Sequence, residues 1–445
     1  MNEPAAATAA GTSGARFERA FLLLAGGDDV RLCKDIPDSA CREQPGNFFR
    51  HLLAALGNKL ADEIASARLV LPWLLAQLGA GGAAVGWLVP IREAGTLVPQ
   101  LLVAAWLRRL ALRKYAWAFG GLTQALAAAG MAIVALAGDG PAGVASVLGL
   151  LLLLALGRGF SSIATKDVMG KTIAKSRRGT LMGWSDSVAS VLALVIGLTL
   201  PLLGERPERG LLAALLLLAA GGWLLNALCA LTMREEPGAT EGAVNAGAAL
   251  LEGLQLLRAD PAFVRFNLSR GLLLGSALSL PYLVVLAHEH SDADLAGLGV
   301  LIVASNLGVF LSSPFWGRWA DRSSRHVMAA AGALAGLTTA VALASDALPA
   351  TLAGSLWYYG ALYGVLAAAH AGIQLGRKTW VVDLGGPKRA LYVAMSNTLA
   401  GVLMLAAGAL TGLVARFWGH HGALLLLTAM ALAGAVSTLW LKDAE

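Results

Sequence analysis

Charged residues inside apolar stretches are the parts of this sequence most able to do chemistry. Arg92 and Glu93 follow Pro90 in the middle of a long apolar run. A charge in apolar surroundings is costly and usually faces a cavity or an oppositely charged partner. Adjacent residues point about 100° apart on a helix, so we expect one of the pair to face a cavity and the other a neighbouring helix. The alternative is an ion pair that only fixes helix packing.

Other polar residues in apolar stretches have the chemistry needed to bind an ion or transfer a proton. A carboxylate that takes up and releases protons must be partly buried, and buried arginines favour anionic or zwitterionic ligands. Most of the buried carboxylates lie in the first half of the chain, which suits proton handling there and ligand binding by both halves. The candidates for substrate binding or proton coupling are Arg92, Glu93, Arg158, Asp186, Arg270, His370 and Asn397.

The sequence does not match the enzyme motifs that it partly resembles. The run from Met169 to Thr172 resembles the end of a phosphate-binding loop, but the required first glycine falls at Thr165. His288 and His290 have the wrong spacing for a helical zinc-protease pair. We therefore expect no enzymatic activity, no cofactor and no metal site.

Composition predicts the elements that hold these residues. Of 445 residues, 57% are hydrophobic and only 14% are charged, and mean hydropathy is +0.66. The apolar residues form blocks of about 18–25 residues, which is the length that a helix needs to cross a bilayer. We predict an all-α membrane protein with about twelve transmembrane helices. The predicted spans are 60–78, 82–105, 115–137, 142–171, 180–203, 210–232, 262–287, 295–317, 327–345, 351–380, 391–415 and 421–441.

The net charge of +6 is explained by the loops and does not indicate nucleic-acid binding. Alternate loops hold only Arg206, Arg209 and Arg416, against eighteen basic residues on the other side. Because basic loops stay in the cytoplasm, we expect a bacterial-type inner (plasma) membrane protein with both termini cytoplasmic. The eighteen are Arg108, Arg109, Arg113, Lys114, Lys171, Lys175, Arg177, Arg178, Arg234, Arg258, Arg265, Arg318, Arg322, Arg325, Arg377, Lys378, Lys388 and Arg389.

The chain divides into two similar halves. We predict a cytoplasmic N-terminal tail at 1–57, a six-helix bundle at 58–232, a cytoplasmic linker at 233–261 and a second six-helix bundle at 262–441. The sequence LPWL around Pro72 matches LPYL around Pro281 at a shift of 209 residues, and Trp106 matches Trp319 at 213. Six helices repeated in the same orientation form a parallel repeat.

The loop after the eighth predicted span reads GRWADRSSR at 317–325. This resembles the signature of the major facilitator superfamily between the second and third helices of a half. The resemblance implies the major facilitator fold and a conformational latch formed by Gly317, Asp321, Arg322 and Arg325. The equivalent first-half loop departs from the pattern, because Arg108 occupies the position of the aspartate.

The resemblance and the buried charges lead us to expect a monomeric secondary transporter of a small-molecule substrate. It would work in the lipid bilayer by alternating access, with protons as the coupling ion. The alternative is a transporter-like membrane scaffold, receptor or assembly factor without transport activity. The buried charges favour transport, because a static scaffold has little use for costly intramembrane ions.

Overall fold

The computed structural model describes residues 36–107, 109–199, 209–238, 246–290, 295–320, 322–385 and 389–441. All regular structure in these ranges is helical. Seven helical stretches in them are long and apolar enough to cross a membrane, and the last of these, Leu391–Leu439, is long enough for two passes. The all-α membrane architecture predicted from the sequence is therefore confirmed.

The first half contains six successive helical spans. Span 1 is built from Asp38–Ile64 and Val70–Gln77, and span 2 from Gly82–Leu97 and Gln100–Leu107. Spans 3 to 6 are single helices, at Lys114–Ala137, Gly140–Thr172, Lys175–Thr199 and Arg209–Thr232. A linker helix, Ala246–Ala259, leads to the second half. The side of the bundle on which this helix lies is the linker face.

The second half repeats this order. Span 7 is built from Pro261–Leu273 and Gly275–His290, followed by span 8 at Leu295–Ala320 and span 9 at Ser324–Leu343. Two short turns, Ala344–Ala347 and Ala350–Ala353, lead to span 10 at Leu356–Gly385. Spans 11 and 12 share the helical stretch Arg389–Leu439, which bends at Trp418 and Gly419. The φ of 64° at Gly419 is a conformation that glycine adopts without a steric penalty.

The helix that contains span 1 begins before the predicted span start at residue 60. The helix starts at Asp38, so the part of the predicted tail from residue 38 onward is helical, whereas residues 1–35 lie outside the described part of the chain. Polar residues lowered the apparent hydropathy of this stretch, yet Gln44, Asn47 and His51 are buried. Each has a partner: Gln44 accepts from the Ala174 amide at 2.8 Å, for example.

The contacts between helices recur in the two halves. A Cβ on Gly57 of span 1 would lie 2.6 Å from the Gly222 carbonyl oxygen of span 6, and one on Gly275 of span 7 would lie 2.6 Å from the Leu427 carbonyl oxygen of span 12. The halves touch along spans 2 and 11, where a Cβ on Gly86 would lie 3.3 Å from the Gly412 Cα, and along spans 5 and 8. The described helices thus form two six-helix bundles related as parallel repeats.

The first helix of the first half is interrupted. Span 1 leaves the helical conformation over 65–69, whereas span 7 keeps helical backbone angles at Leu274, which is residue 65 shifted by 209. Pro72 contributes to the interruption, because it lacks the N–H that would bond to the Arg68 carbonyl four residues earlier. Interrupted helices are a feature of solute-binding sites in membrane proteins.

Candidate functional site

A small cavity of about 40 Å³ lies between the halves beside the interruption of span 1. Its walls come from spans 1, 2, 7, 10 and 11. The apolar wall includes Leu97, Leu274 and Met404. The polar wall consists of Arg68, Glu93, Arg270, His370, Gln374 and Arg377. The cavity therefore brings charged groups from both halves together.

Arg68 and Glu93 form the first-half side of the cavity. The Arg68 Nη2 lies 2.9 Å from the Glu93 Oε1, and the two side chains are 27% and 37% exposed. Arg68 belongs to the interruption of span 1, so its carbonyl has no helical partner and accepts instead from the Tyr363 hydroxyl at 3.2 Å. Arg68 thus contacts the first half through its side chain and the second half through its backbone.

Asp62 is the centre of a second ion-pair cluster, one helical turn or more before Arg68. Its Oδ1 accepts from both Arg92 and Arg158, and its Oδ2 accepts from the Asn58 amide at 3.2 Å. Arg92 is only 8% exposed. The neighbouring residues Arg92 and Glu93 therefore point differently: Arg92 towards Asp62, and Glu93 to the cavity.

Arg270 forms the deepest part of the second-half side and is 5% exposed. Its guanidinium donates to the Ser396 hydroxyl at 2.5 Å and to the Asn397 side-chain oxygen at 3.1 Å. Ser396 in turn donates to the Asn267 side-chain oxygen at 2.8 Å. All these partners are neutral, and the Arg270 Nε is buried without a hydrogen bond.

His370 lies in a polar chain along span 10. Its Nδ1 is 3.0 Å from the Ser276 hydroxyl and its Nε2 is 3.0 Å from the Gln374 Nε2. The Gln374 Oε1 accepts from Arg377, through the Arg377 Nε at 3.0 Å. This chain fixes the Arg377 guanidinium at the cavity wall.

Asp62, Arg68, Gln374 and Arg377 belong to these clusters but were not among the seven predicted candidates, and neither were the neutral Asn267 and Ser396. A span starting at residue 60 places Asp62 at the membrane edge, whereas the helix from Asp38 places it far from the helix start. The carbonyl and side chain of Arg68 become available through the interruption at 65–69. The signal in the sequence was Pro72, at the correct distance to release the Arg68 carbonyl.

The remaining predicted residues are only partly described. Asp186 lies in the helix of span 5, but its side chain is outside the described part of the structure, and Asp321 lies outside it altogether. Gly317 lies in the last turn of span 8, and Arg322 is exposed. Arg325 donates to the Leu441 carbonyl at 2.9 Å, which joins the start of span 9 to the end of span 12.

The linker face of the first half contains a different polar cluster. The Glu235 side chain is fully buried and accepts from the backbone amides of Arg113 and Lys114 at 3.1 and 2.8 Å. Lys171 of span 4 lies 2.8 Å from the same carboxylate. A carboxylate at the start of a helix stabilises its free N–H groups and its dipole. Arg108, where the sequence departs from the signature, is outside the described residues.

Comparisons with known proteins agree with this geometry. The model of the Major Facilitator Superfamily matches residues 271–445, which is most of the second half. A search of curated proteins finds no significant match. Among solved structures, the nucleoside transporter NupG superimposes with a TM-score of 0.66 at 13% identity, covering 89% of this chain and 100% of that chain.

Two further structures have the same fold. A D-xylose–proton symporter gives a TM-score of 0.67 at 13% identity, covering 89% of this chain and 98% of that chain. A POT family transporter in complex with a thioalcohol-conjugated peptide gives 0.67 at 13%, covering 92% of this chain and 98% of that chain.

Fold and cavity define a multi-pass membrane protein of two parallel six-helix halves with a charged cavity between them. The second half matches the model of the Major Facilitator Superfamily, and the described helices have the fold of the solved transporters above.

Proposed function

We propose that the protein is a secondary transporter that moves a small solute across the membrane by alternating access, with protons as the coupling ion. The observation that carries the proposal is the cavity between the halves, lined by charged residues at the interruption of span 1 and on spans 2, 7 and 10. Free backbone groups and charges are costly within a membrane unless they line a cavity or bind a solute. A static scaffold would have no need for either.

The side of the bundle away from the linker face has the contacts that rocking of the halves must break. The rings of Trp73 and His288 lie 5.0 Å apart, and the Tyr282 hydroxyl donates to the Gly82 carbonyl at 3.1 Å. Each contact joins one half to the other. Movement of the two bundles about the cavity would open this side and close the linker face.

The Arg68–Glu93 pair is the proposed proton-coupling element. A proton on Glu93 removes the negative charge that holds Arg68, and Arg68 is tied through its carbonyl to Tyr363 in the other half. Protonation would thereby alter both the charge of the cavity and a contact between the halves. The solute and proton sites are adjacent, as coupling requires.

The proposed orientation places the linker face and both termini in the cytoplasm of a bacterial-type inner membrane, where the protein acts as a monomer. Asp139→Cys, on the side away from the linker, should react with an impermeant thiol reagent in intact cells. Ser323→Cys should react only after permeabilisation. The opposite pattern would invert the orientation and the direction of every proposed step.

Counterflow in proteoliposomes tests the proposed function. Metabolites that raise the unfolding temperature of the purified protein would be loaded unlabelled inside the vesicles. Entry of the same solute in labelled form would then be measured, with and without a pH gradient. We expect saturable counterflow of at least one solute and its accumulation against a gradient when a pH difference is imposed. Vesicles that show binding but no counterflow for any stabilising solute would favour the scaffold or receptor alternative.

A further inference from the structure

We propose that the solute carries an oxyanion, a carboxylate or phosphate group, which binds between Arg270 and Arg377. This inference rests on the transport function proposed above and specifies its substrate class. Three arginines and one glutamate line the cavity, and the glutamate is already paired with Arg68 at 2.9 Å. Arg270 and Arg377 therefore remain without a carboxylate partner among the side chains that the structure describes.

Arg270 lines the cavity and has unused hydrogen-bonding capacity. A guanidinium group has five N–H donors. The described bonds of Arg270 go to Ser396 and Asn397, and its Nε, buried with the rest of the 5%-exposed side chain, has no partner. An incoming oxygen anion could accept from the Nε and from the outer N–H of one terminal nitrogen.

Arg377 on span 10 also has N–H donors without a described partner. Its described bonds both go to the neutral Gln374 Oε1, so three of its five N–H donors remain available. The hydrogen bonds through Gln374 and His370 to Ser276 hold the Arg377 guanidinium in place, but they do not neutralise its charge. Fixed guanidinium groups with unused donors match the two-pronged geometry of a carboxylate or phosphate.

Charge explains why the ligand should be an anion. Two guanidinium groups that face one small cavity repel each other, and burial removes the water that would otherwise screen them. An oxyanion compensates both charges and forms charge-assisted hydrogen bonds to both. A cationic solute would add a third unpaired positive charge, and a neutral solute would leave the two arginines uncompensated.

The test uses the purified full-length protein in detergent at constant ionic strength. Its thermal unfolding is measured against increasing inorganic phosphate and succinate, with chloride as the reference anion, glycerol as a neutral control and choline as a cationic control. We expect phosphate or succinate to stabilise the protein in a saturable manner beyond chloride. Stabilisation by phosphate alone indicates a phosphate group on the solute, and by succinate alone a carboxylate.

Variants locate the binding site. Arg270→Gln should weaken binding of the stabilising anion by roughly tenfold or more, since it removes a charged donor. Arg377→Gln should weaken anion binding to a similar extent. It serves as the test of the site if Arg270→Gln does not fold. Arg416→Gln is the matched control, because Arg416 is exposed near the end of span 11, and it should bind as the unaltered protein does.

Three results would overturn the inference. The first is the absence of any stabilisation beyond chloride by either anion, and the second is unchanged anion affinity in both cavity variants. Counterflow of a neutral or cationic solute that competes with neither anion would also exclude an anionic substrate. That last result would leave the proposed transport function intact, so the two proposals fail separately.

Discussion

Each carboxylate of the cavity region has one or more specific arginine partners. Glu93 pairs with Arg68 at the cavity wall, and Asp62 pairs with Arg92 and Arg158 behind it. The first pair is partly exposed and joins an interrupted segment to span 2. The second joins spans 1, 2 and 4. The two clusters therefore suit different roles, proton exchange at Glu93 and helix packing at Asp62.

Glu93→Gln tests the proposed coupling role. The amide keeps the size of the side chain but cannot exchange a proton, so we expect solute exchange to persist while accumulation driven by a pH gradient is lost. Counterflow and gradient-driven uptake in the same vesicles separate the two activities. Glu252→Gln in the exposed linker helix is the matched control and should behave as the unaltered protein. Accumulation with an unchanged pH profile in Glu93→Gln would exclude the coupling role.

Asp62→Asn should instead destabilise the fold. It leaves Arg158 and the 10%-exposed Arg92 side chain without their carboxylate, and because Asp62 is 20% exposed the cost should approach about 3 kcal/mol, the lower end for breaking a buried pair. We expect a clearly lower unfolding temperature and a lower yield of folded protein. Asp139→Asn breaks only the surface pair with Arg209, whose members are 77% and 38% exposed, and should cost at most about 1 kcal/mol. Equal stability of the two variants would contradict the structural role of Asp62.

At the scale of the helices, the sequence predicted most spans and their repetition because hydropathy and proline positions are local signals. The shared proline of LPWL and LPYL marked spans 1 and 7 as equivalent, and span 1 is interrupted just before its proline. The start of span 1 was not predictable from hydropathy. Polar Gln44, Asn47 and His51 are buried there against partners on other helices, such as Thr172 for His51, and no local pattern reveals those partners.

The site could be predicted only in part for the same reason. Glu93, Arg270 and His370 were recognisable as charged or polar groups in apolar runs, and the structure brings all three to one cavity. Their division into paired and unpaired groups depends on contacts between residues far apart in the chain, such as Arg270 with Ser396, and these exist only once the helices pack.

The approach of spans 2 and 11 can be tested at Gly86. A Cβ at this position would lie 2.5 Å from the Tyr282 hydroxyl and 3.3 Å from the Gly412 Cα, so Gly86→Val must push the halves apart. We expect a lower unfolding temperature and at least tenfold slower counterflow. A tenfold change corresponds to about 1.4 kcal/mol of strain. Gly149→Val on span 4, where a Cβ meets nothing within 4 Å, is the control. Equal turnover in both would show that close contact here is not needed.

For the whole molecule, the parallel repeat supplies the symmetry that alternating access needs. The halves meet at two equivalent interfaces, spans 2 with 11 and spans 5 with 8, and the cavity lies between them. The charges are not symmetric: both carboxylates of the site belong to the first half, and the unpaired arginines belong to the second. Such a division suits a transporter in which one half handles protons and the other contributes the positive groups that hold the solute.

A reversible crosslink between the halves tests alternating access most directly. A Cβ on Gly82 would lie 3.5 Å from the Ala415 Cβ, within the range that a disulfide spans, so Gly82→Cys with Ala415→Cys can be joined by oxidation in a background without the native cysteines. Counterflow is measured before oxidation, after it, and after reduction. If the halves must separate on this side, oxidation should arrest counterflow and reduction should restore it, with neither single-cysteine variant affected. Undiminished counterflow in the fully crosslinked protein would contradict alternating access.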